Sequence, residues 1–125
     1  MKLQHLSSVP RFDDELVRLF DFNAEEAAAF MMALSEWLMN SSSPFHLRSL
    51  PFISEVNCTL RLVMSTKDFG ISKVEHGSYE CLLTRETFQR MLELIEPFTE
   101  HAKGHQWLYD LGTPIEFLFS PNGTW

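Results

Sequence analysis

The stretch FNAEEAAAFMMALSEWLM, residues 22–39, contains the strongest helix signal in the chain. Asn23 is a favourable N-cap residue, and Glu26, three positions later, completes the pattern of a capping box. The stretch predicts an amphipathic helix over residues 24–39. The apolar residues that recur at helical spacing, and that this helix is expected to bury, are Ala27, Phe30, Met31, Leu34, Trp37 and Leu38.

A second long helix is predicted over residues 85–102. Thr84 is suited to cap its start, and Glu86 in the first turn interacts favourably with the helix dipole. Pro97 lacks the N–H that an inner turn requires, so a kink is expected there. Gly104 can adopt a left-handed conformation, and the helix is expected to end before it.

The N-terminal part of the chain contains a third helix-like pattern. Residues 1–10 show no apolar periodicity, so they are expected to form a flexible arm. A short helix is predicted from about residue 13 to residue 20, with acidic residues in its first turn. The apolar residues that would share its buried face are Phe12, Leu16, Leu19 and Phe20.

In the middle of the chain the apolar period changes to two, which is typical of β-strands. Strands are predicted at CTLRLVM, residues 58–64, and at residues 79–83. Residues 71–74 are expected to return as an antiparallel partner of residues 58–64. Gly77 allows a tight turn, and residues 45–50, which precede a proline, are expected to form a short edge strand.

The end of the chain has the pattern of a β-hairpin. HQWLYDL (105–111) and TPIEFLFS (113–120) are strand-like runs on either side of a turn. SPNG, residues 120–123, favours a further turn, which would direct Trp125 back against the hairpin. The alternating residues expected on the buried face of the second run are Ile115, Phe117 and Phe119.

Together these elements predict an α+β fold. We expect an antiparallel sheet of four to five strands with the two main helices packed on one face. A chain of 125 residues is long enough for one core, so a single globular domain is expected over residues 1–125.

The charge balance argues against several classes of partner. The chain has 17 acidic and 10 basic residues, a net charge of 10 − 17 = −7 with neutral histidines, so a nucleic acid partner is not expected. No apolar run is long enough to span a bilayer, and the N-terminus lacks a secretory pattern. We therefore expect a cytoplasmic protein without a membrane partner, in which Cys58 and Cys81 remain reduced.

The C-terminal aromatic residues are the main candidate site for a ligand or a partner, and they comprise His105, Trp107, Tyr109 and Trp125. Trp and Tyr combine a large apolar ring with a hydrogen-bond donor, which suits binding. The same density of aromatic residues is also typical of hairpin and core packing. A concave arrangement of these residues would favour a small ligand or chemistry, and a flat exposed patch would favour a protein partner.

Glu100, His101 and His105 come closest to a metal-binding pattern. Two histidines four residues apart on a helix can bind one cation. Gly104 lies between them and is expected to end the helix, and no Cys-x-x-Cys motif completes a ligand set. We therefore expect no metal and no cofactor, with both histidines solvated at the end of the helix.

The chain contains no motif for nucleophilic catalysis. It lacks G-x-S-x-G and a glycine-rich phosphate loop. Cys58 and Cys81 lie in apolar strands, where a thiol behaves as a small buried hydrophobe. Pairing of a cysteine with His76 or His105 in space remains an alternative, but no catalytic residue is assigned.

Residues 13–26 are strongly acidic, with Arg18 as the sole basic residue. Each acidic cluster lies at a predicted helix start, where the helix dipole favours negative charge. A surface for a basic partner is the alternative interpretation. The carboxylates of this segment belong to Asp13, Asp14, Glu15, Asp21, Glu25 and Glu26.

These observations lead to three functional hypotheses. The first is a non-catalytic binding or protein-interaction domain with an unknown protein or small-molecule partner, and a homodimer is one form that it can take. The second is a small enzyme whose His/Cys or His/carboxylate site is assembled in space. The third is a sensor for a small molecule.

Overall fold

The computed structural model describes residues 1–7, 15–41, 43–111 and 113–125, and its architecture is α+β. The α+β class is confirmed, but the prediction of an antiparallel sheet is wrong. One sheet has five strands and the other four, and both contain parallel pairs. The elements in chain order are β1 (Lys2–Leu6), β2 (Glu15–Phe20), α1 (Ala24–Asn40), β3 (Phe45–His46), a 3-10 helix (Leu47–Ser49), β4 (Ser54–Glu55), β5 (Thr59–Met64), β6 (Gly70–Glu75), β7 (Ser78–Leu83), α2 (Arg85–Ile95), a 3-10 helix (Glu96–Thr99), β8 (Gln106–Tyr109) and β9 (Ile115–Ser120).

The five-stranded sheet has the strand order β4-β1-β2-β9-β8. β2 runs parallel to β9 over its full length, and β8 pairs antiparallel with β9 as the predicted C-terminal hairpin. Ile115, Phe117 and Phe119 are buried, as predicted. Leu118 and Ser120 are buried as well, because β9 is an inner strand with both of its faces covered.

Both N-terminal predictions are wrong within the described residues. The segment predicted as a helix over residues 13–20 contributes β2, and the predicted arm contributes β1, which pairs antiparallel with β2. Leu16, Val17 and Leu19 are all buried, as expected for an inner strand covered on both faces. Such a strand shows no alternation, and its apolar run therefore matched a helical pattern. The rest of both predictions falls on residues 8–14, outside the described residues.

The four-stranded sheet has the order β3-β5-β7-β6. The strands predicted at residues 58–64 and 79–83 are confirmed as β5 and β7, but these two strands are parallel. β6 pairs antiparallel with β7, so the expected pairing of residues 71–74 with residues 58–64 is wrong. The reason is the tight turn between β6 and β7 at Gly77, which has a φ of +77°, because such a turn joins adjacent antiparallel strands.

β3 lies at the edge of this sheet, but it is shorter than the strand predicted over residues 45–50. Phe45 and His46 alone belong to it, opposite Leu62 and Arg61 of β5. The backbone then enters a 3-10 helix, so the predicted edge strand is correct only at its start.

Helix α1 begins at the predicted capping box. The Oδ1 atom of Asn23 accepts a hydrogen bond from the N–H of Glu26 at 2.8 Å. In return, the Oε1 atom of Glu26 accepts one from the N–H of Asn23 at 3.2 Å. The predicted helix over residues 24–39 is thereby confirmed, with its end one residue later at Asn40.

Helix α2 begins as predicted but ends early. The side-chain oxygen of Thr84 accepts a hydrogen bond from the N–H of Thr87. The α-helix stops at Ile95 rather than residue 102, and a 3-10 helix follows that contains Pro97. The missing N–H of this proline explains why the α-helical hydrogen-bond pattern does not continue.

Aromatic rings join the two helices to each other and to the five-stranded sheet. Trp37 of α1 lies edge-on to Phe88 of α2, with ring centroids 5.1 Å apart. Phe30 of α1 stacks on Phe119 of β9 at 6.0 Å. All four side chains belong to one cluster of buried residues that also includes strands of the four-stranded sheet.

The turn at the C-terminal end is confirmed, but the docking of Trp125 is not. The N–H of Gly123 donates to the carbonyl of Ser120 at 3.0 Å and closes the predicted turn. Trp125 is 47% exposed. Burial of this ring against the hairpin is therefore not confirmed, and its packing there stays a prediction.

Candidate functional site

Two of the four predicted aromatic site residues line a groove between α2 and β8, which we call the aromatic groove. It has a volume of about 540 Å³, and Trp107 and Tyr109 lie on its β8 side. Arg90 of α2 and Asp68, from the loop before β6, line it as well. The groove therefore combines aromatic surface with charges of both signs.

The other two predicted residues lie outside this groove. His105 is exposed and contacts Trp107 edge-on, with ring centroids 6.2 Å apart. Trp125 is exposed and is not among the lining residues. The structure thus brings Trp107 and Tyr109 together in a concave surface but does not add His105 or Trp125 to it.

Asp68 connects the loop before β6, which lines the aromatic groove, to the start of α2. Its carboxylate accepts hydrogen bonds from the N–H of Thr84 and from Oγ1 of Thr87, both at 2.7 Å. Burial raises the pKa of Asp68, but these hydrogen bonds and the charge of Arg90 outweigh burial and bring the pKa below its usual value. The pKa of Tyr109 is raised by burial and then by the charge of Asp68. Asp68 therefore stabilises the start of α2.

Gly70 determines how closely β6 approaches Tyr109. A Cβ atom at this position would lie 2.6 Å from Oγ1 of Thr113 and 2.9 Å from Cε2 of Tyr109. Gly70 also has a φ of +82°. A larger residue would therefore displace the ring that lines the aromatic groove.

The histidines of the predicted metal pattern are separated by the backbone. Helical structure ends at Thr99, and both His101 and His105 are exposed. Gly104, directly before His105, has a φ of +80°. Consequently the two histidines and Glu100 do not share one helical face. In the part of the chain that the structure describes, no three His, Cys, Asp or Glu side chains are grouped closely enough to bind a metal ion.

Both cysteines are free and buried, as predicted. Cys58 is 4% exposed and Cys81 is fully buried. Burial, followed by the charge of Glu55, raises the pKa of the Cys58 thiol to about 12. Burial also raises the pKa of Cys81. Because the thiolate is the nucleophilic form of cysteine, these environments suit packing and not catalysis.

One histidine–carboxylate contact was not predicted from the sequence. Nε2 of His5 lies 2.8 Å from Oε2 of Glu15, and the His5 ring stacks on Tyr79 at 4.8 Å. The N–H and the carbonyl of His5 also exchange hydrogen bonds of 2.8 Å with the side chain of Asn57. His5 belongs to β1 and Tyr79 to β7, so these contacts join the two sheets. A histidine beside a carboxylate can act as a general base, but this structural role explains His5 without catalysis.

A second groove lies between α1 and α2, and we call it the methionine groove. It has a volume of about 580 Å³, and its apolar lining consists of Met31, Met32 and Met39 of α1 and Leu92 of α2. Met31 and Leu92 are partly buried and pack against the core. Met32 and Met39 are 69% and 78% exposed. The groove therefore has an apolar floor continuous with the core and two exposed methionines.

Three carboxylates line the methionine groove. They belong to Glu36 of α1, Glu93 of α2 and Glu96 at the start of the second 3-10 helix, and all three are exposed. Within the described residues none of them has an ion-pair partner, and no Lys or Arg lines the groove. The apolar surface is thus bordered by uncompensated negative charge.

Hydrogen bonds fix the end of α1 beside this groove. Nη1 of Arg85 donates to the carbonyl of Leu38, and Nε1 of Trp37 donates to the carbonyl of Ser43 at 2.6 Å. A positive charge at the C-terminal end of a helix also interacts favourably with the helix dipole. The bond from Arg85 connects the last turn of α1, which carries Met39, to the first turn of α2, and the bond from Trp37 holds the segment after α1 against the helix.

Sequence reasoning identified the buried stripe of α1 but missed the methionine groove. The available signal was the position of Met32 and Met39, which lie seven residues apart and outside that stripe. The exposed face of an amphipathic helix normally carries polar residues. Two large apolar residues at this spacing on the polar face are therefore the sequence signal of the apolar groove.

No protein-family model matches this chain, and no curated protein matches it. In the described residues neither helix combines the length and the apolarity that crossing a bilayer requires.

Proposed function

We propose that this chain is a non-catalytic protein-interaction domain and that the methionine groove is its binding surface. The observation that carries the proposal is the exposure of Met32 and Met39, at 69% and 78%, above the apolar floor of Met31 and Leu92. Contiguous apolar surface of this kind is typical of protein contact sites.

Methionine suits this function because of its side chain. It is unbranched and polarizable, so it can adapt its shape to a partner and is frequent on surfaces that bind proteins. An isolated exposed apolar residue requires no explanation. Met32 and Met39, however, share one groove with Met31 and Leu92, and a partner would remove all four from water together.

The fixed surroundings of the groove support binding without rearrangement. Trp37 and Phe88 pack edge to face between α1 and α2, and Arg85 bonds to the carbonyl of Leu38. A preorganised surface loses less conformational entropy on association. We also propose, as the sequence pattern predicts, that the two helices lie on one side of the sheets. The proposed location of the domain is the cytoplasm.

Small-molecule binding in the aromatic groove is the second candidate function. The observation that favours it is the position of Trp107 and Tyr109 in one concave surface with Asp68 and Arg90. Its volume of about 540 Å³ lies within the usual range for ligand sites. The proposal of a protein partner ranks first for two reasons. The carboxylate of Asp68 in the aromatic groove is already bonded to the start of α2. In the methionine groove, by contrast, the carboxylates have no basic lining residue beside them and two methionines are exposed to water.

The proposed function can be tested by site-specific crosslinking followed by a binding measurement. A photoreactive residue at position 39 is expected to capture a partner protein from cells that express this chain. The same residue at position 56, where Val56 is 49% exposed and lines neither the methionine groove nor the aromatic groove, is the matched control. A capture that is equal at both positions would argue against the groove.

The captured protein is then purified, and its affinity is measured by calorimetry. The double variant Met32→Gln/Met39→Gln is expected to bind at least about tenfold more weakly, because each buried methionine side chain contributes about 1.5–3 kcal/mol. Val56→Gln, outside both grooves, is expected to bind like the parent chain. Unchanged affinity of the double variant for the purified partner would refute the proposed function.

A further inference from the structure

From the carboxylates around the methionine groove we infer that its partner segment is a basic amphipathic helix. This inference rests on the proposed function and specifies the chemistry of the partner. Glu36, Glu93 and Glu96 line the groove together with its apolar residues, and no Lys or Arg of the lining neutralises them. A segment that covers the methionines with apolar residues therefore places its flanking residues beside three negative charges, where Lys and Arg are favoured.

The shape of the groove favours a helix over an extended strand. The groove is formed by side chains of α1, α2 and the 3-10 helix that follows α2, and not by the edge of a sheet. It offers an incoming strand no row of backbone hydrogen-bonding groups, whereas a helix satisfies its own backbone. Met32 and Met39 are seven residues apart on α1, a rise of about 10 Å, which matches apolar anchors at positions i, i+4 and i+7 of a partner helix.

The same charges argue against two other occupants. A second copy of this chain bound through the same surface would bring Glu36, Glu93 and Glu96 against their own counterparts, and like charges at an interface are unfavourable. An anionic membrane surface would likewise be repelled by these carboxylates. The net charge of −7 has the same sign, so association with either occupant is also opposed at long range.

The test uses three synthetic 16-residue peptides with the same leucines at positions i, i+3, i+4 and i+7. Their flanking positions are all Lys, all Gln or all Glu. Binding to the full chain carrying 13C-methyl methionine is followed by NMR, and affinity is measured by calorimetry at low and high salt. The Lys peptide is expected to shift the methyl signals of Met32 and Met39 and to bind at least about tenfold more tightly than the Gln peptide, with a difference that decreases as salt rises.

Two triple variants separate local charge from net charge. Glu36→Gln/Glu93→Gln/Glu96→Gln removes the carboxylates of the groove, and a matched control replaces Glu25, Glu75 and Glu86 with Gln. Both change the net charge from −7 to −7 + 3 = −4. The first triple variant is expected to lose the preference for the Lys peptide over the Gln peptide, and the control is expected to keep it. An equal loss in both variants would overturn the inference, because the net charge of the chain, and not the carboxylates of the groove, would then cause the preference for the Lys peptide.

The outcomes also distinguish this inference from the proposed function. If the Gln or the Glu peptide binds at Met32 and Met39 as tightly as the Lys peptide, the basic helix is refuted while the groove remains a binding surface. If the free chain forms a dimer that is lost in Met32→Gln/Met39→Gln, the occupant is a second copy and the inference is overturned. If no peptide shifts the two methyl signals, the inference also fails, and the captured partner alone decides the proposed function.

Discussion

The indole ring of Trp37 stands nearly perpendicular to the phenyl ring of Phe88, with 83° between the ring planes and 5.1 Å between the centroids. Trp37 belongs to α1 and Phe88 to α2, so this pair couples the two helices that border the methionine groove. Edge-to-face pairs contribute about 0.5–1.5 kcal/mol beyond the burial of their area. The pair therefore links the stability of the core to the geometry of the proposed binding surface.

Truncation of Phe88 is expected to destabilise the protein strongly. Phe88→Ala should lower the free energy of unfolding by about 3–5 kcal/mol, because Phe88 is fully buried and its removal leaves a cavity. Urea denaturation monitored by circular dichroism measures this change. Phe69→Ala is the control, since Phe69 is 59% exposed, and its effect should be within about 0.5 kcal/mol. Similar losses in both variants would contradict the packing described for α1 and α2.

The capping box of α1 gives a second prediction. Asn23→Ala should lower the free energy of unfolding by about 0.5–2 kcal/mol, because the N–H of Glu26 loses its acceptor. Asn23→Ser should be nearly neutral, since serine accepts the same hydrogen bond. The midpoints of urea denaturation compare the two variants, and an alanine variant as stable as the serine variant would show that the cap contributes nothing.

Local chemistry explains which parts of the fold could be predicted from the sequence. The start of α1 depends on Asn23 and Glu26, that of α2 on Thr84, and the β6–β7 turn on Gly77. Each of these signals acts within a few residues, so it can be read without knowledge of the rest of the chain.

The strand pairing could not be predicted because it is determined by distant segments. β5 and β7 are parallel, and β2 lies parallel to β9 about a hundred positions away in the sequence. Burial on both faces removed the alternation that would identify β2 as a strand. Distance in the sequence also limited the prediction of the site. Trp107 and Tyr109 lie close together in the sequence and were predicted together, whereas Asp68, which lines the same groove, comes from a distant loop.

Asp68 gives a prediction that depends on pH. Asp68→Ala should lower the free energy of unfolding at pH 7 by about 1 kcal/mol, because the N–H of Thr84 and Oγ1 of Thr87 lose their acceptor. The pKa of Asp68 in the folded state is lower than in the unfolded state, so its carboxylate stabilises the fold above the unfolded pKa of about 3.9. This stabilisation is lost as the pH falls through the folded pKa.

The difference in stability between the parent chain and Asp68→Ala should therefore be constant from pH 7 to about pH 5 and should decrease below about pH 4. Urea denaturation at a series of pH values measures it. Asp68→Asn is the control, because its side chain can still accept a hydrogen bond but does not titrate. A difference between parent and alanine variant that grows as the pH falls would contradict the assigned role of Asp68.

The residues after β9 give the last prediction, which separates backbone contacts from the exposed Trp125. Nη1 of Arg18 donates to the carbonyl of Gly123 at 2.7 Å, and the N–H of Asp21 donates to the carbonyl of Pro121 at 2.8 Å. Deleting residues 121–125 removes both hydrogen bonds and should lower the free energy of unfolding by about 2 kcal/mol, at about 1 kcal/mol for each.

Trp125→Ala should change the stability by less than about 0.5 kcal/mol, because a half-exposed ring contributes little burial. Thermal denaturation of the parent chain, the substituted chain and the truncated chain measures both effects. If Trp125→Ala destabilises the protein as much as the truncation does, the ring and not the backbone anchors this segment. A truncation without effect would show instead that the contacts to Arg18 and Asp21 do not contribute to stability.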